Sequence, residues 1–558
     1  MPEYLVPGVY VEETSFRSKS IEGVNTDTTA FVGPTRRGPK GGTPQVLTSL
    51  GDFERIYGGL NDLHYSPNYL AHAVRVYFDN GGKRLYVSRV VGTDATMAVS
   101  IPVVAGSGVT ARARFVALTS GEAGNGVVSL NLIATPVSAG TLPRSPSGSL
   151  LRIGSVLATR QGNSWYDASG MVVDVTSLAN GEVLTMEVSL AGQNEAVWII
   201  EDIGFNREHP RWIGHVLPEA PFAHTDQLKN PYALEMSDDV SVSELFDGLF
   251  GRDTKCSYVL TGGSDGTTPD RAAYQAALTE ISSMDDIATV AAPGHSAYAD
   301  HVGIQQALIA HVEAAHANRM LVLDTPPGQS IQEARGSRGR IDSAYAALYY
   351  PWVVASNPLF KPGQRGIPSE VILPPSGFVC GIFARNDIER GAHKAPADEV
   401  IRSALRLDLD VSKAELEILN PIGVNCLRHL PERGYRVWGA RTASSDREWK
   451  YINVRRYANY LEESIARGTQ WAAFEPIDER LWSNVRRSIS DFLYNEWKIG
   501  ALLGGKPEEA FFVRCDRSTM TQADLDNGRI ICLFGVAMVK PAEFIILRVS
   551  QKTADDNR

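Results

Sequence analysis

Three observations predict an α/β fold (α+β multidomain). From residue 257 onward, short apolar runs alternate with segments of helical period, the pattern of a largely parallel sheet covered by helices. Residues 93–240 break that rhythm with short strands rich in Val, Ser, Thr and Gly. Strand-forming segments also stand alone at both ends of the chain. The 558 residues are 43% hydrophobic and 21% charged, ordinary globular composition with apolar material for several cores. A small stapled scaffold and global disorder are both excluded.

The first strand comprises Val9, Tyr10, Val11 and Glu12, between Pro7-Gly8 and a polar stretch at 14–28. With little apolar material to anchor it, it reads as an arm that needs a sheet elsewhere, which makes 1–28 an N-terminal β-arm. Residues 29–92 form a compact N-terminal segment. There Ala30-Phe31-Val32 is a buried strand, and Leu70, Ala73, Val74 and Tyr77 fall at helical spacing. A helix is expected over 69–78, stopped by Asn80-Gly81-Gly82 before a strand over 84–90.

The 93–240 stretch reads as a β-rich insertion. Residues 241–397 form the α/β domain, with strands at 257–261, 287–290 and 320–323 and helices at 272–282 and 302–317. Residues 398–543 form an α+β C-terminal domain, with helices at 448–465 and 481–493 and strands at 510–516 and 529–539. The last strand, Phe544, Ile545, Ile546, Leu547, Arg548 and Val549, opens a C-terminal arm at 544–558 that ends in a polar tail. Lone strands at both extremes suit pairing with another chain.

Charge and cysteine usage narrow the function. Lys and Arg total 54 against 64 Asp and Glu, a formal net charge of −10, which repels a phosphate backbone unless basic residues cluster. Cys256, Cys380, Cys426, Cys515 and Cys532 are odd in number, far apart and never in a C-x-x-C pair. That spacing argues against a disulfide framework and a zinc site, leaving reduced core thiols of a cytosolic, soluble protein. The N-terminus lacks the basic and apolar regions of a secretory signal. The longest apolar runs reach about half of the roughly 20 residues needed to span a bilayer, so membrane insertion is not expected. An acidic stretch from Glu235 to Asp253 holds six carboxylates and one Arg; it reads as an exposed rim.

The sequence carries no complete catalytic signature. Leu260-Thr261-Gly262-Gly263-Ser264 lacks the following Gly-Lys-Ser/Thr of a phosphate loop, and in Gly504-Gly505-Lys506 the next residue is Pro507. His311 and His316 stand five apart rather than the four that aligns two metal ligands. No cofactor or metal is expected. Asp286, His295 and Ser343 on an α/β domain invite a serine-hydrolase reading, but no nucleophile elbow surrounds any serine. Between Arg428 and Arg456, eight basic residues face three acidic ones, interleaved with Tyr435, Trp438, Trp449 and Tyr451. Such a patch suits single-stranded nucleic acid, an acidic protein surface, or a core whose arginines pair internally.

In order along the chain, these segments resemble the contractile tail sheath proteins of phages, R-type pyocins and extracellular contractile injection systems. The resemblance rests on Pro7-Gly8-Val9-Tyr10-Val11-Glu12-Glu13, Asn80-Gly81-Gly82, Ala346-Ala347-Leu348-Tyr349-Tyr350-Pro351-Trp352, Pro374-Pro375-Ser376-Gly377, Val437-Trp438-Gly439-Ala440-Arg441-Thr442, Trp449-Lys450-Tyr451-Ile452-Asn453-Val454-Arg455-Arg456 and Lys540-Pro541-Ala542-Glu543-Phe544. It is weakest over 93–240. It implies a subtilisin-like α/β middle domain without protease activity, a variable outer insertion, and a C-terminal inner domain with exchanged terminal strands.

It also implies a structural, non-enzymatic protein: stacked hexameric rings forming a helical sleeve that contracts from a metastable extended state to drive an inner tube through a target envelope. The implied partners are other copies of the chain, the inner tube protein, and baseplate and terminal cap proteins, with no nucleic acid. Assembly is expected in the bacterial cytoplasm, with release of the particle by lysis. Because the family's C-terminal domain lines the inner wall, Arg455, Arg456, Arg486, Arg487 and Lys506 are the expected tube-facing charges. The rival reading is a hydrolase on the α/β domain.

Overall fold

The computed structural model describes residues 20–106, 111–140, 142, 145–192, 197–219, 230–315, 317–363 and 366–543. The chain divides into a larger unit, 27–389 with 396–450, and a smaller one, 1–26 with 390–395 and 451–558.

An eight-stranded sheet organises the larger unit. Its order is Glu399–Val400, Gly434–Trp438, Val424–Leu430, Ala346–Tyr350, Met320–Asp324, Thr289–Ala291, Thr28–Pro34 and Arg84–Val90. Neighbours from Val424–Leu430 through to Arg84–Val90 run parallel, and the other two strands close that edge antiparallel. Every residue of Thr28–Pro34, Met320–Asp324 and Ala346–Tyr350 is buried. Such unbroken burial marks strands covered on both faces. Residues 398–450, read from the sequence as part of the C-terminal domain, therefore fold with the larger unit, because two of their strands extend its sheet.

Two helices pack tightly within this unit. Asn68 caps Tyr69–Asp79 by accepting a hydrogen bond from the Ala71 amide at 3.2 Å. The second helix, Pro375–Arg390, is buried on all sides from Pro375 to Asn386. A Cβ at Gly381 would lie 2.4 Å from the Tyr77 carbonyl oxygen, and one at Gly377 would lie 2.8 Å from the Ala73 Cα. The two glycines, one helical turn apart, let the helix backbones touch. The Asn80-Gly81-Gly82 motif is structural in the same way: the Asn80 amide donates to the Arg402 carbonyl at 3.2 Å, and Gly81 holds φ +104.

The insertion is β-rich. A three-stranded sheet orders Tyr232–Met236, Ala111–Ser120 and Met97–Ala105, and a larger antiparallel sheet centres on Gly126–Val137 and Gly181–Gly192. Phe115, Val128, Leu130, Met186, Val188 and Phe205 share one core. Lys255–Leu260 joins this sheet, with Tyr258 opposite Val128, and not the parallel sheet as its sequence suggested. Only Tyr258 and Leu260 of that strand are buried, the alternation of a strand with one covered face. The acidic stretch is answered by arginines: Glu235 pairs with Arg114 at 2.6 Å, Glu244 with Arg112 at 2.7 Å and Asp238 with Arg207 at 2.9 Å. Among the described residues no helix is long and apolar enough to cross a membrane.

Candidate assembly site

The smaller unit is built on two amphipathic helices and a hairpin. Ile452–Thr469 turns Tyr457, Leu461 and Ile465 inward; Glu479–Lys498 adds Trp482, Val485, Ile489, Phe492 and Leu493. These spacings of three and four residues place one apolar stripe on each helix. Asp478 caps the second helix by accepting from the Leu481 amide at 2.7 Å. Between the helices, the Tyr457 and Tyr460 hydroxyls donate to the two carboxylate oxygens of buried Glu496, at 2.7 and 2.9 Å. Burial, and then the Glu496 charge, hold both phenols far above their ordinary pKa.

The hairpin pairs Phe511–Arg514 antiparallel with Leu533–Val536. Phe512 stands opposite Gly535, where a Cβ would lie 2.3 Å from the Phe512 ring. Leu502 bridges Met538, closing one edge past the end of the strand. Along the strands themselves, no third strand pairs with either edge among the described residues. Two-stranded sheets are marginal alone and present unpaired N–H and C=O groups for a further strand. Phe512 and Leu533, 52% and 51% exposed, add apolar surface beside those edges.

The chain running in from the N-terminal arm lies along the Ile452–Thr469 helix. Ile21 sits on Gly468, where a Cβ would come within 2.6 Å of it, and the Val24 amide donates to the Ser464 hydroxyl at 3.0 Å. Arg456 reaches the Thr26 carbonyl at 3.4 Å. At the other end, the Asn453 amide donates to the Val539 carbonyl at 3.0 Å, and Tyr451 donates to Glu543 at 3.3 Å. The approaches to both arms are thus tied to one helix. The arm residues Val9, Tyr10, Val11 and Glu12, and Phe544, Ile545, Ile546, Leu547, Arg548 and Val549, lie outside the described residues.

Gly23 provides a test of this anchoring. A Cβ there would lie 2.1 Å from the Tyr460 hydroxyl and about as close to its ring as a van der Waals contact forbids. Tyr460 cannot swing away freely, since Glu496 and the stacked Tyr457 ring hold it. Gly23→Val is expected to release residues 20–26, raising limited-proteolysis cleavage there about tenfold while the helices stay folded. Unchanged cleavage would contradict the anchoring.

The expected tube-facing charges separate into two groups. Arg455 and Arg456 are each 4% exposed and are corrected from surface charges to interior ones. Arg455 donates to Asn459 at 2.7 Å and to Glu462 at 2.9 Å, one and two turns along its own helix. That spacing was visible in the sequence and marks an arginine satisfied within its helix. Arg486, Arg487 and Lys506 are exposed. Of the three readings of the 428–456 patch, internal pairing describes its arginines best. Asp398 pairs with Arg433 at 2.6 Å and Arg436 at 3.2 Å, while Arg428 and Arg441 donate to the carbonyls of Val411 and Asn420.

The three residues of the hydrolase reading do not come together. Asp286 accepts from the Tyr86 hydroxyl at 2.8 Å and pairs with Arg84; His295 bonds the Ala292 carbonyl through Nδ1 at 2.7 Å; Ser343 accepts from the Tyr345 amide at 3.3 Å. A different group does assemble at the end of Met320–Asp324. Asp324 accepts from the Ser376 amide at 2.7 Å and its hydroxyl at 2.6 Å, beside His295, Ser296 and His301. The space there is about 10 Å³, room for one water and no substrate. Its carboxylate holds the start of the Pro375–Arg390 helix.

Two family models match the chain consecutively: the phage tail sheath protein central domain over residues 267–443 and the phage tail sheath C-terminal domain over residues 444–552. The chain belongs to the contractile tail sheath family. It is 26% identical over 187 residues to the tail sheath protein of Vibrio phage KVP40, covering 33% of this chain and 27% of that one. It is 25% identical over 250 residues to that of Burkholderia phage BcepMu, covering 41% and 49%. The alignments thus span half or less of the curated relatives' lengths.

Among solved structures, the sheath complex of the extracellular contractile injection system PVC in its contracted state matches 99% of both chains at 20% identity, with TM-score 0.56. The contracted helical sheath of the anti-feeding prophage matches 99% of this chain and 100% of its own at 22% identity, with TM-score 0.54. The mixed α/β multidomain fold is the one seen in those sheaths.

Proposed function

We propose that this chain is the structural subunit of a contractile sheath, polymerising as stacked hexameric rings into a sleeve around an inner tube. The observation that carries this reading is the hairpin Phe511–Arg514/Leu533–Val536, whose strands meet no third strand among the described residues, in a unit that also holds the approaches to both arms, within a chain of the sheath family. Strands from neighbouring copies, Val9–Glu12 of one and 544–549 of another, add to the two edges. Main-chain hydrogen bonds make such a joint indifferent to side-chain repacking elsewhere, and a head-to-tail contact propagates an open helix. The larger units then exchange one set of contacts for another while the mesh of arms stays linked.

Contraction in this scheme needs no nucleotide. A metastable extended packing relaxes to a lower one, each subunit supplying a few kcal/mol that sum over many copies. The larger unit is the subtilisin-like scaffold of the family, used here for packing and not hydrolysis. Arg486, Arg487 and Lys506 supply the positive charge toward the tube, and baseplate and cap proteins terminate the sleeve. Removing residues 1–13 tests the strand joint. Wild type is expected to sediment as polymer, and the truncated chain to stay in the supernatant with an unchanged melting temperature; equal sedimentation of both would refute the exchange.

A further inference from the structure

Cys515 directly follows the strand Phe511–Arg514, and Cys532 directly precedes Leu533–Val536. The ladder ends on the pair Arg514 and Leu533, so one further step of the same register sets Cys515 opposite Cys532. Directly opposed residues of an antiparallel pair have Cα atoms about 4.5–5.5 Å apart, inside the roughly 4.4–6.8 Å window of a disulfide. That register brings two free thiols face to face across the end of the hairpin. We propose that Cys515 and Cys532 are a redox modification site, forming a reversible disulfide that staples the base of the 516–531 loop.

The other cysteines lack this placement. Cys256 stands opposite Leu130 and Cys426 opposite Trp438, and Cys380 is buried inside the Pro375–Arg390 helix packing. Access fits the assignment as well: Cys515 is 2% exposed, while Cys532 is only half-buried and leaves the pair open to a small oxidant from its side. Interaction with the Cys532 thiol, and then Arg486, lowers the Cys515 thiol, while Cys515 and burial push Cys532 up. Cys515 is therefore the attacking thiolate of the pair, and Cys532 is the resolving thiol.

With a small-molecule disulfide RSSR as oxidant, a thiolate of the pair attacks one reagent sulfur and expels RS⁻, leaving a mixed disulfide. The second cysteine, losing its proton, attacks the protein sulfur of that bond and expels the second RS⁻. One S–S bond breaks in the reagent and one forms in the protein. Two electrons pass to the reagent, and the two cysteine protons end on two RSH. The loop so closed is otherwise held at its base by the Thr519 hydroxyl donating to the Ile531 carbonyl at 2.7 Å. The staple requires only the hairpin and does not depend on the proposed function.

The test uses the full native chain, incubated with oxidised glutathione or with dithiothreitol, alkylated, and digested with trypsin without reductant. The expected product is a cross-link between the peptide beginning at Cys515 and the one beginning at Ile530. In the native protein, tryptic cutting after Arg517 and Arg529 is expected to slow about tenfold on oxidation and recover with dithiothreitol. Cys532→Ser should give no cross-link and the cutting rate of reduced wild type. Three results would overturn the proposal: both cysteines alkylated after oxidation, a glutathione adduct that persists on Cys532, or a cross-link that leaves the cutting rate unchanged.

Discussion

Arg89→Met is expected to destabilise the larger unit by about 3–5 kcal/mol, the cost of removing one partner from a buried ion pair. Arg89 lies on the last parallel strand with its guanidinium fully buried, paired with Asp265 at 3.2 Å and donating to the carbonyls of Gly38 at 2.8 Å and Ser120 at 3.0 Å. It thereby ties the sheet strand to the end of Ala111–Ser120 in the insertion and to the turn that follows Lys255–Leu260. Burial pushes the guanidinium pKa down and the Asp265 carboxyl up, each partner opposing the shift of the other. Methionine fills much of the volume but leaves one carboxylate and two carbonyls unanswered. Adding Asp265→Asn should recover part of the loss, since the stranded charge is then gone. Chemical denaturation reads both effects; a loss below about 1 kcal/mol would show that the pair is no more than a surface bridge.

The second large effect is a dependence of stability on pH through Asp324. Burial pushes this carboxyl up to about 7, against the two hydrogen bonds from Ser376 that favour its charged form. The unfolded chain releases the proton near the ordinary carboxylate value, whereas the folded chain keeps it until about pH 7. Unfolding therefore releases a proton across that window, and the contribution, full at low pH, is lost as pH rises. The sum is about 4 kcal/mol over some three pH units. Asp324→Asn keeps a carbonyl for the Ser376 amide and presents an N–H₂ to its hydroxyl, so it should remove this slope. Parallel stability curves for the two proteins between pH 4 and 8 would contradict the assignment.

Legibility in the sequence followed the kind of burial involved. The strand Arg84–Val90 was readable to the residue because a short β-forming segment between Asn80-Gly81-Gly82 and Gly92 is punctuated at both ends. The Pro375–Arg390 helix was missed because burial on every side erases the 3.6-residue period, and two glycines within it and Pro374-Pro375 at its start disguise what remains. Lys255–Leu260 was placed in the wrong sheet, since an apolar run does not say which neighbours it meets.

Site residues followed the same logic. The arm segments were conspicuous because no neighbouring stretch of sequence offers them a partner, but the hairpin was visible only as two separate strands. Arg455 and Arg456 looked like surface charge because composition counts charges without their partners, although Asn459 and Glu462 stood at helical spacing. The meeting of Cys515 and Cys532 depends on strand register across a long loop, which spacing alone does not encode.

The proposed sleeve depends on exchanged strands. Negative-stain electron microscopy of the purified wild-type chain, beside the chain lacking residues 1–13, tests it most directly. Long cross-striated sleeves from the wild type and isolated particles from the truncated chain are the predicted result. Monodisperse particles from both, or sleeves of equal length from both, would contradict it.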